Sequence, residues 1–226
     1  TTITVDGDIE YDGTNALNLD VTDVAAASTG DIAVTVNENV DLGSGTLDVT
    51  ANDNAASLTV TGTTDAGDVT VNGAGAVNAS ATFTDDANVG AVTVGGSGAG
   101  TSKVSAAGNL TTTGLTLDGT GGTPTLELKG ASANANQSVS GTIDGEADGS
   151  GAISVDNSAT DTTTTFNDEI GGNFTVDTFT VTNGDTVLDA DAEFETTVTV
   201  NNDTLTNNAD LTVGTDLAGS GDFTNS

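Results

Sequence analysis

The sequence contains no cysteine, histidine, methionine or tryptophan, and its only two basic residues are Lys103 and Lys129. Without cysteine and histidine, the chain lacks the residues that activate the nucleophile in Ser-His-Asp and Cys-His enzymes. The same absence removes the usual ligands of structural zinc sites. Paired carboxylates can cleave glycosidic bonds, but the tryptophan platforms and arginines that accompany them in sugar-cleaving solenoids are missing. We therefore expect a protein that is not an enzyme.

Positive charge is almost absent, because 34 acidic residues stand against 2 basic ones and the formal net charge is −32. A field of this sign repels phosphates, which excludes nucleic acid as an expected partner. No run approaches the ~18 consecutive apolar residues of a membrane-spanning helix, so no membrane span is expected. Divalent cations or a salty medium would relieve the self-repulsion of such a chain. A calcium-containing exterior supplies both, and a halophilic cytoplasm is the competing explanation.

Short triplets recur along the chain, in which two apolar residues flank a polar one that is usually threonine. Alternation with a period of two places both apolar members on one face, which is the pattern of a half-buried strand. β-Branched valine and threonine suit a pleated surface. The pattern predicts an all-β protein with strands at 3–5, 17–19, 32–34, 47–49, 58–60, 69–71, 92–94, 115–117, 126–128, 153–155, 174–176, 198–200 and 211–213.

The spacing of the strands indicates a repeat. In the middle of the chain the strand starts fall at 47, 58, 69, about 81, 92, about 104, 115 and 126, which are 11 or 12 residues apart. A fixed period is the mark of a repeat architecture. The short strands, the small core residues and the 3% aromatic content favour a parallel β-solenoid rod with coils of roughly 22 to 35 residues. A β-sandwich built from repeats is the alternative.

We expect residues 1–226 to form a single repetitive β domain. The sequence opens on Thr1 without a methionine, and strand-like segments reach both of its ends. These features predict a processed chain or a fragment of a longer protein.

Segments such as Leu58-Thr59-Val60-Thr61-Gly62 and Val69-Thr70-Val71-Asn72-Gly73 resemble the strand repeats of bacterial surface proteins. The similar families are filamentous-haemagglutinin-type adhesins, autotransporter passenger domains and S-layer proteins rich in Thr, Ala, Gly and Asp. The resemblance implies an extracellular, cell-surface protein with a structural or adhesive role, which in many S-layer cases depends on cations. The chain has neither the glycine-aspartate nonapeptide of calcium β-rolls nor a strict hexapeptide repeat.

Aspartate outnumbers glutamate by 27 to 7. Aspartate favours turns, so many of these residues are expected to serve turn chemistry. Three clusters with alternating acids also predict sites for calcium, which binds several carboxylate and carbonyl oxygens together. The candidate ligands are Asp144, Glu146 and Asp148 in the first cluster; Asp189, Asp191, Glu193 and Glu195 in the second; and Asp6, Asp8 and Glu10 in the third. If the second cluster lies in a strand, its four acids face the same way and repel each other unless a cation separates them.

These observations predict a structural subunit of an extracellular assembly, such as a filament, surface layer or sheath, whose main partner is another copy of itself. The alternative is a stalk of an adhesin or phage fibre that holds a binding tip away from its anchor. A third hypothesis is a glycan-binding or glycan-cleaving surface, for which Phe166, Phe174 and Phe179 form the only dense aromatic group. We expect these phenylalanines to fill the core instead.

Overall fold

The structure is a computed structural model, and it describes residues 1–11, 16–23, 30–130, 136–157 and 162–225. These residues form 27 strands and no helix. Accordingly, no helix capable of crossing a membrane occurs among them.

The strands are short, and most span two to five residues. Up to residue 111 they are β1 (Thr2–Val5), β2 (Ile9–Glu10), β3 (Leu19–Thr22), β4 (Ile32–Val36), β5 (Val40–Asp41), β6 (Leu47–Ala51), β7 (Ala56–Val60), β8 (Thr64–Ala66), β9 (Val69–Gly73), β10 (Ala79–Phe83), β11 (Ala87–Val89), β12 (Ala91–Gly95), β13 (Ser102–Ala106) and β14 (Leu110–Thr111). From residue 114 they are β15 (Gly114–Asp118), β16 (Thr125–Leu128), β17 (Gln137–Ser140), β18 (Ile143–Gly145), β19 (Ser150–Asp156), β20 (Thr163–Phe166), β21 (Val176–Asn183), β22 (Asp185–Leu188), β23 (Ala192–Val200), β24 (Thr204–Asn207), β25 (Leu211–Val213), β26 (Asp216–Gly219) and β27 (Asp222–Asn225).

The strands stack into three parallel sheets. The first sheet has the order β1-β4-β7-β10-β13-β16-β19-β21-β23-β25, with β26 also paired to β23; the second is β2-β5-β8-β11-β14-β17-β20-β22-β24-β27; and the third is β3-β6-β9-β12-β15-β18. Isolated bridges carry the third side onward from Ile143 to Ile170 and then to Ala192. Successive coils place one segment on each side, so the chain is a three-sided β-solenoid. The sandwich alternative is wrong, because all the observed strand pairs are parallel.

The coil length explains the period seen in the sequence. Ala56 pairs with Ala79 and Ala79 pairs with Ser102, so one middle coil takes 23 residues. The predicted interval of 11 or 12 residues is half of this coil, and it connects strands of the first and third sheets. The very short strands of the second sheet lie between them and were not predicted.

Alternation along each strand builds the core. Inward side chains of the first sheet form a continuous buried column, in which each residue is the register partner of the next: Val36, Val60, Phe83, Ala106, Leu128, Val155, Val181 and Val200. Two predicted strands begin later than expected. β3 starts at Leu19 and β21 at Val176, so Leu17 and Phe174 lie outside strands and are 38% and 46% exposed.

Aspartate and asparagine side chains connect neighbouring coils at the corners. The Oδ1 atom of Asp68 accepts a hydrogen bond from the Ala91 backbone N–H at 2.9 Å. The Oδ1 atom of Asn78 likewise accepts one from the Thr101 backbone N–H at 3.0 Å. Both pairs are separated by one coil of 23 residues. The short Asx side chain thus satisfies a backbone donor that the corner leaves outside the sheet ladder. Aspartate was predicted to stabilise turns, and in the structure it also links neighbouring coils.

Candidate functional site

The loop of residues 171–175 brings two of the three predicted acidic clusters together. Asn173 donates from its backbone N–H to Asp144 Oδ1 and from Nδ2 to Asp144 Oδ2, both at 3.0 Å. The Thr175 backbone N–H donates to Asp148 Oδ1 at 3.3 Å, and its hydroxyl donates to Glu195 Oε2 at 3.2 Å. The loop therefore lies between acids that are far apart in the sequence.

Backbone hydrogen bonds fix the same loop against β18. The Gly145 N–H donates to the carbonyl of Phe174 at 3.0 Å, and the Gly149 N–H donates to the carbonyl of Thr175 at 3.0 Å. The ring of Phe174 nevertheless remains 46% exposed. A depression of about 360 Å³ opens beside it, lined by Thr116, Asp144, Gly145, Glu146, Asn173 and Phe174.

The other two phenylalanines of the predicted aromatic group are core residues. Phe166 and Phe179 are buried, and their ring centroids lie 5.6 Å apart in an edge-to-face arrangement. Phe179 also contacts the buried Phe194 at 5.1 Å. Phe166 lies in β20 on the second side and Phe179 in β21 on the first side. Phe194 lies near the start of β23, two residues after Ala192, where this strand continues the third side. The expectation that these aromatics fill the core is confirmed for Phe166 and Phe179 and is wrong for Phe174.

The second acidic cluster lies only partly in a strand. Glu193 and Glu195 belong to β23, whereas Asp189 and Asp191 lie in the connection before it. All four are exposed. Asp189 accepts a hydrogen bond from Asn208 Nδ2 at 2.7 Å, and Asp191 accepts one from the Asp210 backbone N–H at 3.0 Å.

The third cluster lies in the first coil, apart from the other two. Asp6 accepts a hydrogen bond from Asn37 Nδ2 at 2.6 Å, and Asp8 accepts one from the Asn39 backbone N–H at 3.0 Å. Glu10 pairs in register with Asp41 and is exposed. Across the described ranges, no three or more Asp, Glu, His or Cys residues are arranged to hold a metal ion. Calcium binding by the three clusters stays a prediction.

The outer face of the first sheet carries a column of hydroxyl side chains. Its members are register partners from coil to coil: Thr4, Thr35, Thr59, Thr82, Ser105, Glu127, Ser154, Thr180 and Thr199. Glu127 is the one member without a hydroxyl group. The chain's two lysines flank it, with Lys103 Nζ at 2.9 Å and Lys129 Nζ at 3.0 Å from its carboxylate oxygens. Burial acts to raise the pKa of Glu127, but the hydrogen bonds from both lysines outweigh burial and hold this pKa below its usual range.

The sequence singled out the acids of the site as candidate calcium ligands but not the residues that hold them together. Asn173, Thr175 and the exposed position of Phe174 were missed, because Phe174-Thr175-Val176 matches the strand triplet. A usable signal was the local sequence Gly171-Gly172-Asn173, which breaks the strand pattern just before that triplet.

No protein-family model, curated protein or solved structure matches the chain. The class of protein is therefore defined by the fold alone, which is a three-sided parallel β-solenoid with an acidic, hydroxyl-rich surface.

Proposed function

We propose that this solenoid is a structural, non-catalytic element of an extracellular assembly, namely a filament, surface layer or sheath. The observation that supports this most is the continuous stacking of parallel coils, which are held to one another by backbone hydrogen bonds from β1 to β27. A rod of this kind transmits load along its axis through backbone pairing. The resemblance of its strand repeats to those of bacterial surface proteins supports the same role.

The proposed contact between copies is coil on coil. At one end of the described solenoid Ile3 and Leu17 are 48% and 38% exposed, and at the other Leu217 and Phe223 are 45% and 39% exposed. Equivalent side chains inside the rod are covered by the next coil: Val198, the register partner of Leu217, is fully buried. A further coil stacked on the terminal one would bury these residues and pair the exposed strand edge, and the proposal is that a second copy supplies this coil.

Calcium is proposed as an aid to this assembly. The net charge of −32 makes two rods repel each other. Divalent cations at the exposed acids of the three clusters would lower this repulsion when the rods approach.

Sedimentation velocity and electron microscopy test the proposal on one preparation, first with calcium and then with EDTA. We expect elongated oligomers that grow with protein concentration and are shortened by EDTA. The double variant Leu217→Asp/Phe223→Asp should remain monomeric, because it places charges in the contact. Phe174→Asp is the matched control, since it changes an equally exposed phenylalanine on the side of the rod and should assemble normally.

A rod that stays monomeric under all these conditions would overturn self-assembly. The second candidate function, a stalk of an adhesin or phage fibre, requires the same rod geometry but no contact between copies. Monomeric rods would favour it.

A further inference from the structure

Phe174 is exposed in a different setting from the other large apolar residues that are exposed in the described chain. Ile3, Leu17, Leu217 and Phe223 all lie in the terminal coils, where the core column runs out. Phe174 instead lies on the side of the rod, beside the third sheet, in a part where coils continue above and below it. An aromatic ring left 46% exposed there forgoes much of the stabilisation that burial would provide.

The backbone that carries the ring is also held in place. The residue before Phe174 is bound through both backbone N–H and Nδ2 to Asp144, and the carbonyl of Phe174 accepts from Gly145 at 3.0 Å. The residue after it is bound to Asp148 and Glu195. Because this network already orders the backbone, a ligand that stacks on the ring does not have to order the loop.

The chemistry around the ring specifies the kind of ligand. Beside the ring, the depression of about 360 Å³ is lined by the polar residues Thr116, Asp144, Glu146 and Asn173, with no basic residue. Asp144 and Asn173 are hydrogen-bonded to each other, and Glu146 is exposed. The size of the depression lies in the range of small-molecule sites. Carboxylates accept hydrogen bonds, so a ligand must supply donors, and the overall negative charge disfavours anions. An apolar ring face next to acceptors suits a molecule with one apolar face and several hydroxyl groups.

We propose that Phe174 and the adjacent acids form a binding subsite for a neutral carbohydrate, with the apolar face of one pyranose ring stacked on Phe174. Glu146, which is exposed, accepts hydrogen bonds from the sugar hydroxyls. A second depression, of about 440 Å³, lies on the second sheet and serves as an internal comparison, because its lining of Thr, Asp, Asn, Ala and Ser residues contains no aromatic side chain. The proposal assigns a recognition role to one place on the rod and does not depend on self-assembly.

The test is NMR titration of the full chain, labelled with ¹⁵N, with the methyl glycosides of glucose, galactose and mannose, followed by dextran. We expect shifts confined to the amides of Gly145, Glu146, Asn173 and Phe174, and no such shifts around Ala87 and Asn88. Phe174→Ala should weaken binding about tenfold, which corresponds to ~1.4 kcal/mol, and Glu146→Gln should weaken it less. Both residues are exposed, so circular dichroism should report an unchanged fold.

Phe223→Ala is the matched control, because it removes another exposed phenylalanine and should leave binding unchanged. The absence of shifts with every probe, or equal binding by the wild type and Phe174→Ala, would overturn the proposal. An equal loss in Phe223→Ala would also overturn it, because it would indicate non-specific apolar association. Binding lost in EDTA would reassign the site to a cation held by the acids.

Discussion

The middle and the C-terminal parts of the rod build the same three parallel sides with coils of different length. Around residue 80 a coil takes 23 residues, as Ala56 pairs with Ala79. Near the C-terminus it takes 19, as Thr178 pairs with Thr197 and Thr197 with Asp216. Both parts keep three parallel sides. The regular sequence period in the middle therefore reflects corners of constant length rather than a requirement of the strands.

The shortening occurs at the corner between the third and first sides. In the middle, residues 52–55 separate β6 from β7. In the C-terminal part, β23 runs through this corner as one strand of nine residues, and the register shifts where it passes β21. Thr196 donates from its hydroxyl to Asp177 Oδ1 at 2.8 Å at this irregularity. A β-bulge thus replaces a loop, because the extra residue bends the strand sharply enough to turn the corner.

The interiors of the two parts differ as well. The middle core consists mostly of valine, leucine and alanine, whereas Phe166, Phe179 and Phe194 meet in the C-terminal part. Both parts bury threonine hydroxyl groups that find no hydrogen-bond partner among the described residues, at Thr64 in the middle and at Thr164 and Thr186 in the C-terminal part. Large rings fill the cross-section of the C-terminal part, whereas the unpaired hydroxyl groups cost stability in both parts.

The largest effect is expected from Phe179→Ala, since Phe179 is the central ring of the three. Removing it leaves a cavity between all three sides, so the free energy of unfolding should fall by about 3–5 kcal/mol. Urea unfolding measures this, and Phe179→Leu should lose clearly less. If Phe179→Ala lowered the free energy of unfolding by less than Phe179→Leu does, the aromatic contact would not hold the three sides together.

In the middle part, Gly98→Ala should lower the free energy of unfolding by about 1–3 kcal/mol. A Cβ atom at Gly98 would overlap the carbonyl oxygen of Gly75 in the preceding coil, so the stacked corners must separate. Thermal unfolding measures the effect. Gly7→Ala is the control, because a Cβ atom there has no neighbour within 4 Å. Equal stability of the two variants would contradict close stacking of the corners.

Thr186→Val should raise the stability of the C-terminal part by about 1 kcal/mol. The substitution replaces a buried, unpaired hydroxyl group with a methyl group of similar shape. Urea unfolding detects the gain, and Thr180→Val on the outer face should give little change. A destabilised Thr186→Val variant would indicate that a water molecule binds this hydroxyl group inside the rod.

The smallest effect concerns the ion pairs of Glu127. Because its pKa is lowered in the folded state, the pairs stabilise the fold at neutral pH, and this contribution disappears as the pH falls through the lowered pKa. The pairs are partly exposed, so we expect less than about 1 kcal/mol from them.

A double-mutant cycle of Glu127→Gln with Lys103→Met, measured by urea unfolding at pH 7 and pH 2, isolates the coupling. It also removes the general benefit of deleting one negative charge from a strongly acidic rod. Coupling of the same size at both pH values would contradict an electrostatic origin.

Much of the fold could be predicted from the sequence, because the first and third sheets carry two inward apolar residues in most of their strands. The second sheet could not, since strands such as β8 and β14 are only two or three residues long and show no triplet. The acids of the candidate site were singled out in the sequence as calcium ligands, a role that stays a prediction. Their partners were not, because Asn173 follows Asp144 by 29 residues, a distance set by a coil longer than those of the regular middle part.

The sequence by itself determined most strands of the first and third sheets, their inward and outward faces and the acidic surface, since these depend on local alternation and composition. The tertiary structure decided which strands stack and why Phe179 lies inside while Phe174 lies outside. Both phenylalanines occur in similar triplets, Phe174-Thr175-Val176 and Phe179-Thr180-Val181. Their positions differ because the preceding corner, held by Asp144 and Asp148, fixes where β21 begins. Corner lengths accumulate from coil to coil, so the register at any one coil is a property of the whole rod.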